Sequence, residues 1–191
     1  QAFIFAAMGL AKAGDAVLLP EPSYFNHSSS LAMLGITAIG VAGDPARQFL
    51  PDVASFEQAI TPQTRAIALV SPNNPTGTLY PADLLDDLFR LCQRHDLALI
   101  IDETYRDFCD LDVSRPHGLF DHPDWADTVI QLYSFSKSYC LPGYRLGAVV
   151  AGAGMIAELA KITDNIDNLT DTIGNSLTKG LPNISGQVTQ F

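Results

Sequence analysis

The chain has 191 residues, enough for one domain with a real core and short for two. Hydrophobic residues make up 47% and charged residues 17%, which excludes a disordered polyelectrolyte. The formal net charge of −10 argues against a nucleic-acid binder, whose surface is basic, and no apolar run approaches the ~18 residues of a membrane-spanning helix.

In chain order, helix and strand patterns alternate. Residues 1–13 read as an amphipathic helix stopped by Gly14, with no basic leader ahead of it. AVLLP (16–20) is a short apolar strand. Residues 25–34 read as a helix ending at Gly35, followed by the strand ITAIGV (36–41). A helix at 52–60 precedes the strand RAIALVS (65–71). PADLLDDLFRLCQRH (81–95) opens with a proline suited to a first helical turn and places apolar residues 84, 85, 88, 91 and 92 on one face. LALIID (97–102), TVIQLYS (128–134) and RLGAVVA (145–151) read as strands, and 153–168 and 171–180 as helices. No repeat, low-complexity tract or long linker interrupts the series. Such alternation predicts an α/β fold with three layers, α-β-α, around a mainly parallel sheet.

Ligands in such sheets bind beyond the carboxyl ends of the strands. The polar segments there are SPNNPTG (71–77), DETY (102–105) and SFSK (134–137). Lys137 follows a strand and two small hydroxyl residues. A lysine amine forms a Schiff base with an aldehyde once it is neutral, which a free amine of pKa ~10.4 is not at pH 7. Ser134 and Arg145, if they converge, would hold a phosphate with a hydroxyl and a guanidinium. Asp102 ends an apolar strand, where a carboxylate is costly unless paired. A protonated pyridine nitrogen would suit it, and Tyr105 could reach the same place. Asn74 could donate to a phenolate-like oxygen, and its bond to Pro75 is expected to be cis. Tyr24, in EPSYF (21–25), could stack on a planar ring, and His27 could back a carboxylate.

Each feature alone has an ordinary reading. Lys137 could be a solvated surface lysine, Asp102 a helix cap, SPNNPTG a plain turn, and Tyr24 a core or surface tyrosine. Glu103 and Arg106 read as solvated or structural. His117 and His122, with Asp121 and Asp124 nearby, match no zinc spacing, and no metal site is assigned. Cys92, Cys109 and Cys140 are odd in number without CxxC spacing. That argues against a disulfide framework and fits a reducing, cytoplasmic compartment.

Together the segments AGDAVLLPEPSY, SPNNPTG, IIDETY and SFSKSYCLPGYRLG resemble, in order and over nearly the whole chain, the class I/II aminotransferases among fold-type I pyridoxal 5′-phosphate (PLP) enzymes. The resemblance implies that Lys137 is the Schiff-base lysine and proton carrier and that Asp102 pairs with the pyridine nitrogen. It implies further that Asn74 and Tyr105 bond the ring's phenolic oxygen, that Tyr24 stacks on the ring, and that Ser134 and Arg145 bind phosphate. His27 falls where some members carry a histidine behind the ring-pairing carboxylate. Cys140 departs from the family's usual small or aliphatic residue at that place. The resemblance also implies a homodimer acting on amino-acid and 2-keto-acid substrates. Residues 1–191 then form the PLP-binding large domain, expected to be incomplete at both ends, with the phosphate-binding loop and the substrate-carboxylate arginine outside the chain. Two rivals share these motifs: another PLP reaction, such as C–S β-elimination or decarboxylation, and an aminotransferase-like regulator domain.

Overall fold

A computed structural model of the chain describes residues 1–109 and 116–166. The helices are α1 (Ala2–Leu10), α2 (Phe25–Met33), α3 (Val53–Ala59), α4 (Ala82–Arg94) and α5 (Ala153–Ile166). The strands are β1 (Ala16–Glu21), β2 (Thr37–Ala42), β3 (Thr64–Val70), β4 (Ala98–Asp102), β5 (Val129–Ser134) and β6 (Gly147–Val150). They form one sheet in the order β2-β1-β3-β4-β5-β6. The first five strands run parallel, and β6 returns antiparallel to β5. The expected helix at 171–180 lies outside the described residues. Among the described residues no helix is long and apolar enough to cross a membrane.

The period-2 geometry of the strands sorts their side chains into two cores. Val17, Leu19, Ala66, Ala68, Ala98, Ile100, Ile130 and Leu132 pack with α1, Leu31 of α2 and Leu159 of α5. Leu18, Ile67, Leu69, Leu99, Ile101 and Val129 pack with Phe56 of α3 and the apolar stripe of α4. Helices therefore cover both faces, the three-layer arrangement that the alternating pattern predicts. The α4 stripe is Leu85, Leu88, Phe89, Leu91 and Cys92, with Asp83 in its first turn and Arg94 in its last, both signs suiting the helix dipole.

Three expectations need correction. Helix α1 ends at Leu10, not residue 13, because Ala11 is extended and the Lys12 N–H is taken by Asp15 Oδ2 at 3.1 Å. Nor is α1 amphipathic. It is apolar nearly all round, since the sheet covers one side and Met155, Leu159 and Ile162 of α5 crowd Gly9 on the other. The last strand also starts later than residue 145. Arg145 adopts a left-handed conformation, φ 52°, after a 3-10 turn at Pro142–Tyr144, and pairing begins at Gly147.

Candidate active site at the carboxyl ends of the strands

Parallel pairing brings the three polar segments to one edge. Asp102 lies level with Val70 of β3 and Leu132 of β5. Ser71 N–H donates to Asp102 O at 2.9 Å, and Glu103 N–H to Leu132 O at 2.8 Å, so the strand ends stay in register. The Asn74–Pro75 peptide is cis, as are Glu21–Pro22 and Ser71–Pro72.

Asp102 has a side chain only 16% exposed. Its Oδ1 accepts the Thr104 hydroxyl at 2.6 Å and the Thr104 N–H at 3.0 Å. Its Oδ2 makes no hydrogen bond among the described residues and stands 3.6 Å from His27 Nε2. No regular helix follows Asp102. The capping role available to it is this two-residue turn, and it occupies one oxygen alone. His27 is buried, lies flat on Phe3 (centroids 3.8 Å apart, 15°) and meets the Tyr24 ring edge-on at 5.3 Å. Behind the carboxylate there is thus a packed aromatic stack. Tyr24 precedes α2, and its phenolic oxygen accepts from Asn26 Nδ2 at 2.6 Å.

A cleft of about 270 Å³ opens over these groups. Its lining includes Tyr24, Asp102, Ser134 and Arg145 of the seven expected residues, with Thr104, Ser136 and the first turn of α1. Ser134 Oγ accepts the Ser136 N–H at 3.2 Å, and one Arg145 nitrogen donates to Pro142 O at 3.0 Å, leaving most of the guanidinium donors available. Lys137, Tyr105 and Asn74 do not line this cleft. Lys137 is exposed, with Nζ 5.9 Å from the centre of the Tyr105 ring. Asn74 is half-buried beside Asn73. It is Asn73 that ties the turn, donating to Pro22 O at 3.1 Å and Thr76 Oγ1 at 2.9 Å.

Several groups near the cleft carry no local signal of their role. Glu103, read as solvated or structural, is almost completely buried. It accepts from Gln131 Nε2 and from Arg106 at 3.2 Å. His117 Nε2 lies 3.2 Å from its other oxygen, off the hydrogen-bond direction, while His117 Nδ1 accepts the Leu119 N–H. His122 sits apart from His117, bonded to Asp86 at 2.6 Å. Tyr133, which lines the cleft, donates to Asp107. Burial, then that hydrogen bond, pushes its phenol up to about 12. The same bond holds the Asp107 carboxyl below its usual range against the upward push of burial, with Ser138 and Arg106 assisting.

One cleft therefore offers a carboxylate oxygen backed by His27 and without a hydrogen bond among the described residues, an aromatic wall, and a hydroxyl with a guanidinium, and a primary amine stands outside it. This donor set suits a flat group with an anionic arm and a protonated ring nitrogen. The family model for aminotransferase class I and II matches residues 1–176. The chain belongs to this family. Class I and II aminotransferases depend on PLP, and the donor set fits that cofactor. Aromatic aminotransferase ISS1 of Arabidopsis thaliana is 34% identical over 172 residues, 87% of this chain and 42% of that protein. Arginine–pyruvate transaminase AruH of Pseudomonas aeruginosa is 34% identical over 154 residues, 80% of this chain and 38% of that protein. The crystal structure of an aromatic aminotransferase from Pyrococcus horikoshii superposes with a TM-score of 0.80 at 28% identity, covering 87% of this chain and 44% of that one. The aspartate aminotransferase of Thermus thermophilus with maleate gives 0.79 at 26%, over 87% and 42%. The chain spans about two-fifths of the length of these relatives.

Proposed function

We propose that the protein is a PLP-dependent aminotransferase moving an amino group between an amino acid and a 2-keto acid, and that this chain forms its cofactor-binding large domain. The observation that carries the reading is Asp102 Oδ2, backed by His27 and accepting no hydrogen bond among the described residues, in the same cleft as Ser134 and Arg145. When bound, PLP supplies an aldehyde that captures amino groups and a ring that accepts electrons from the substrate α-carbon. Asp102 Oδ2 keeps a proton on the ring nitrogen, and His27 and Thr104 hold Asp102 in place. Ser134 and Arg145 bind the phosphate, and Tyr24 forms the wall against the ring. Asn74 and Tyr105 donate to the phenolic oxygen. Lys137 Nζ would hold the cofactor covalently and, when its amine is free, would serve as the general base that carries the substrate's α-proton.

The active protein is a homodimer in this reading, working in cytoplasmic amino-acid metabolism. The test is to treat purified protein with PLP and borohydride and to map the adduct by mass spectrometry. An adduct on Lys137, absent in Lys137→Ala, is the expected result, with amino acids converting bound PLP to pyridoxamine phosphate. Binding without that conversion for any amino acid overturns transamination, and release of pyruvate, ammonia and a thiol from a β-thioether amino acid would mark elimination instead.

A further inference from the structure

Two of the segments that carry groups assigned to the cofactor, the turn after β4 and the turn after β5, meet at one side chain. Tyr133 immediately precedes Ser134 at the end of β5. Its phenol donates to Asp107, two residues beyond Tyr105 in the turn after β4. Ser138, next to Lys137, has its hydroxyl oxygen buried with no hydrogen-bond partner among the described residues. The Tyr133 ring meets Phe135 edge-on at 5.2 Å, and Phe135 meets Tyr139 at 5.2 Å, so aromatic contacts flank the turn that bears Lys137. On the far side, a β-carbon on Gly147 would stand 3.0 Å from Tyr133 O, so β6 backs this residue closely.

We propose that Tyr133 is a positioning residue whose phenol, hydrogen-bonded to Asp107, clamps the Tyr105 turn to the Lys137 turn and sets how Lys137 Nζ approaches the Tyr105 ring. The inference rests on the reading of Lys137 and Tyr105 as cofactor residues. Neither turn has regular secondary structure beyond one 3-10 turn, and short irregular segments open locally unless side chains tie them down. A hydrogen bond to an ionised acceptor is the strongest single tie such segments can form. The position of Tyr133 matters because it is rooted in a central, well-paired strand, whereas both clamped turns lie outside the sheet.

The experiment compares Tyr133→Phe, Asp107→Asn, Asp107→Leu and the double variant Tyr133→Phe/Asp107→Leu in the purified protein. Tyr133→Phe keeps the ring contacts and removes the donor. Amide hydrogen exchange without PLP is expected to rise about tenfold in both 105–108 and 137–140, with β3 unchanged, for the loss of one charge-assisted bond. The rate of borohydride-trappable capture of PLP at Lys137 is expected to fall about tenfold in Tyr133→Phe and in Asp107→Leu, and no further in the double variant. Asp107→Asn retains an acceptor oxygen and should keep capture within about twofold of the parent. The clamp is overturned if exchange rises in one turn alone, if capture is unchanged in Tyr133→Phe, or if the double variant multiplies the two losses. Should the parent itself fail to capture PLP at Lys137, the cofactor assignment falls, while the exchange data without PLP still decide whether the clamp exists.

Discussion

Replacing Thr104 with valine tests how Asp102 is held. The change keeps the shape of the side chain and deletes the hydroxyl that donates to Oδ1 at 2.6 Å, while the Thr104 N–H bond at 3.0 Å remains. A hydrogen bond to a charged group contributes about 1.5–3 kcal/mol. Asp102 is 16% exposed, so water recovers part of this and the lower figure, about 1.5 kcal/mol of stability, is the one to expect. With one anchor gone, the carboxylate gains rotamer freedom that binding must again remove, which costs about 0.5–1.5 kcal/mol, or about two- to tenfold in PLP affinity. Urea unfolding followed by fluorescence gives the first quantity, and titration of the protein with PLP gives the second. Thr104→Ser restores the donor and should recover both. Unchanged affinity in Thr104→Val, or a serine variant as weak as the valine one, would refute the argument that Thr104 aims Asp102 Oδ2.

Asp86 is held below its ordinary value of 3.8 chiefly by the Arg90 hydrogen bond, with His122 adding to it against burial. A depressed folded value means that the stabilisation is full well above 3.8 and fades as pH falls through the folded value. The pair is largely exposed, so only about 0.5 kcal/mol should disappear on the acid side, and Asp86→Asn should flatten that part of a urea-midpoint-versus-pH curve. Burial pushes the Cys92 thiol up to about 12, whereas Cys140 is exposed. A maleimide should therefore label Cys140 in the folded protein and Cys92 only after unfolding, as peptide mapping would show. Gly147→Ala brings a methyl group to 3.0 Å from a backbone oxygen that cannot swing away, and should cost about 1–3 kcal/mol in the same unfolding assay. An unchanged midpoint would mean that β6 yields.

The strands were legible because their apolar runs have strand length and lie between helices with a 3.6-residue period. The place of the candidate cleft was legible because Asp102 and Ser134 fall where those runs end, whereas Lys137, which also follows such a run, stands outside it. Helix α1 was overextended at its end because its pattern continues through Ala11 to Ala13, whereas Asp15 closes a local turn on the Lys12 N–H and Gly14 N–H bonds across to Gly35 O. Glu103 was read as solvated or structural because carboxylates usually face water. Arg106 is a local partner, but Gln131 and His117, which bury the carboxylate, are 28 and 14 residues away along the chain, so its burial has no local signal. The Tyr133–Asp107 bond spans 26 residues and was invisible for the same reason. Thr104 lies two residues from its partner and was a contact within reach, since a hydroxyl two residues after an aspartate at a strand end can close a small turn.

The antiparallel return of β6 gives the lysine segment a property that a parallel crossover would deny it. Ser134 and Gly147 are cross-strand partners, so the 12 residues 135–146 leave and re-enter the sheet at a single rung. Lys137 stands near the exit and Arg145 near the re-entry. Both therefore ride on one closed handle whose base is fixed by strand pairing, and any twist of that rung carries them together. Loop closure grows costlier only slowly with length, about 0.6 kcal/mol per doubling. Residues can be gained or lost at the crown, around Tyr139 to Gly143, while the amine and the guanidinium stay anchored at its two feet.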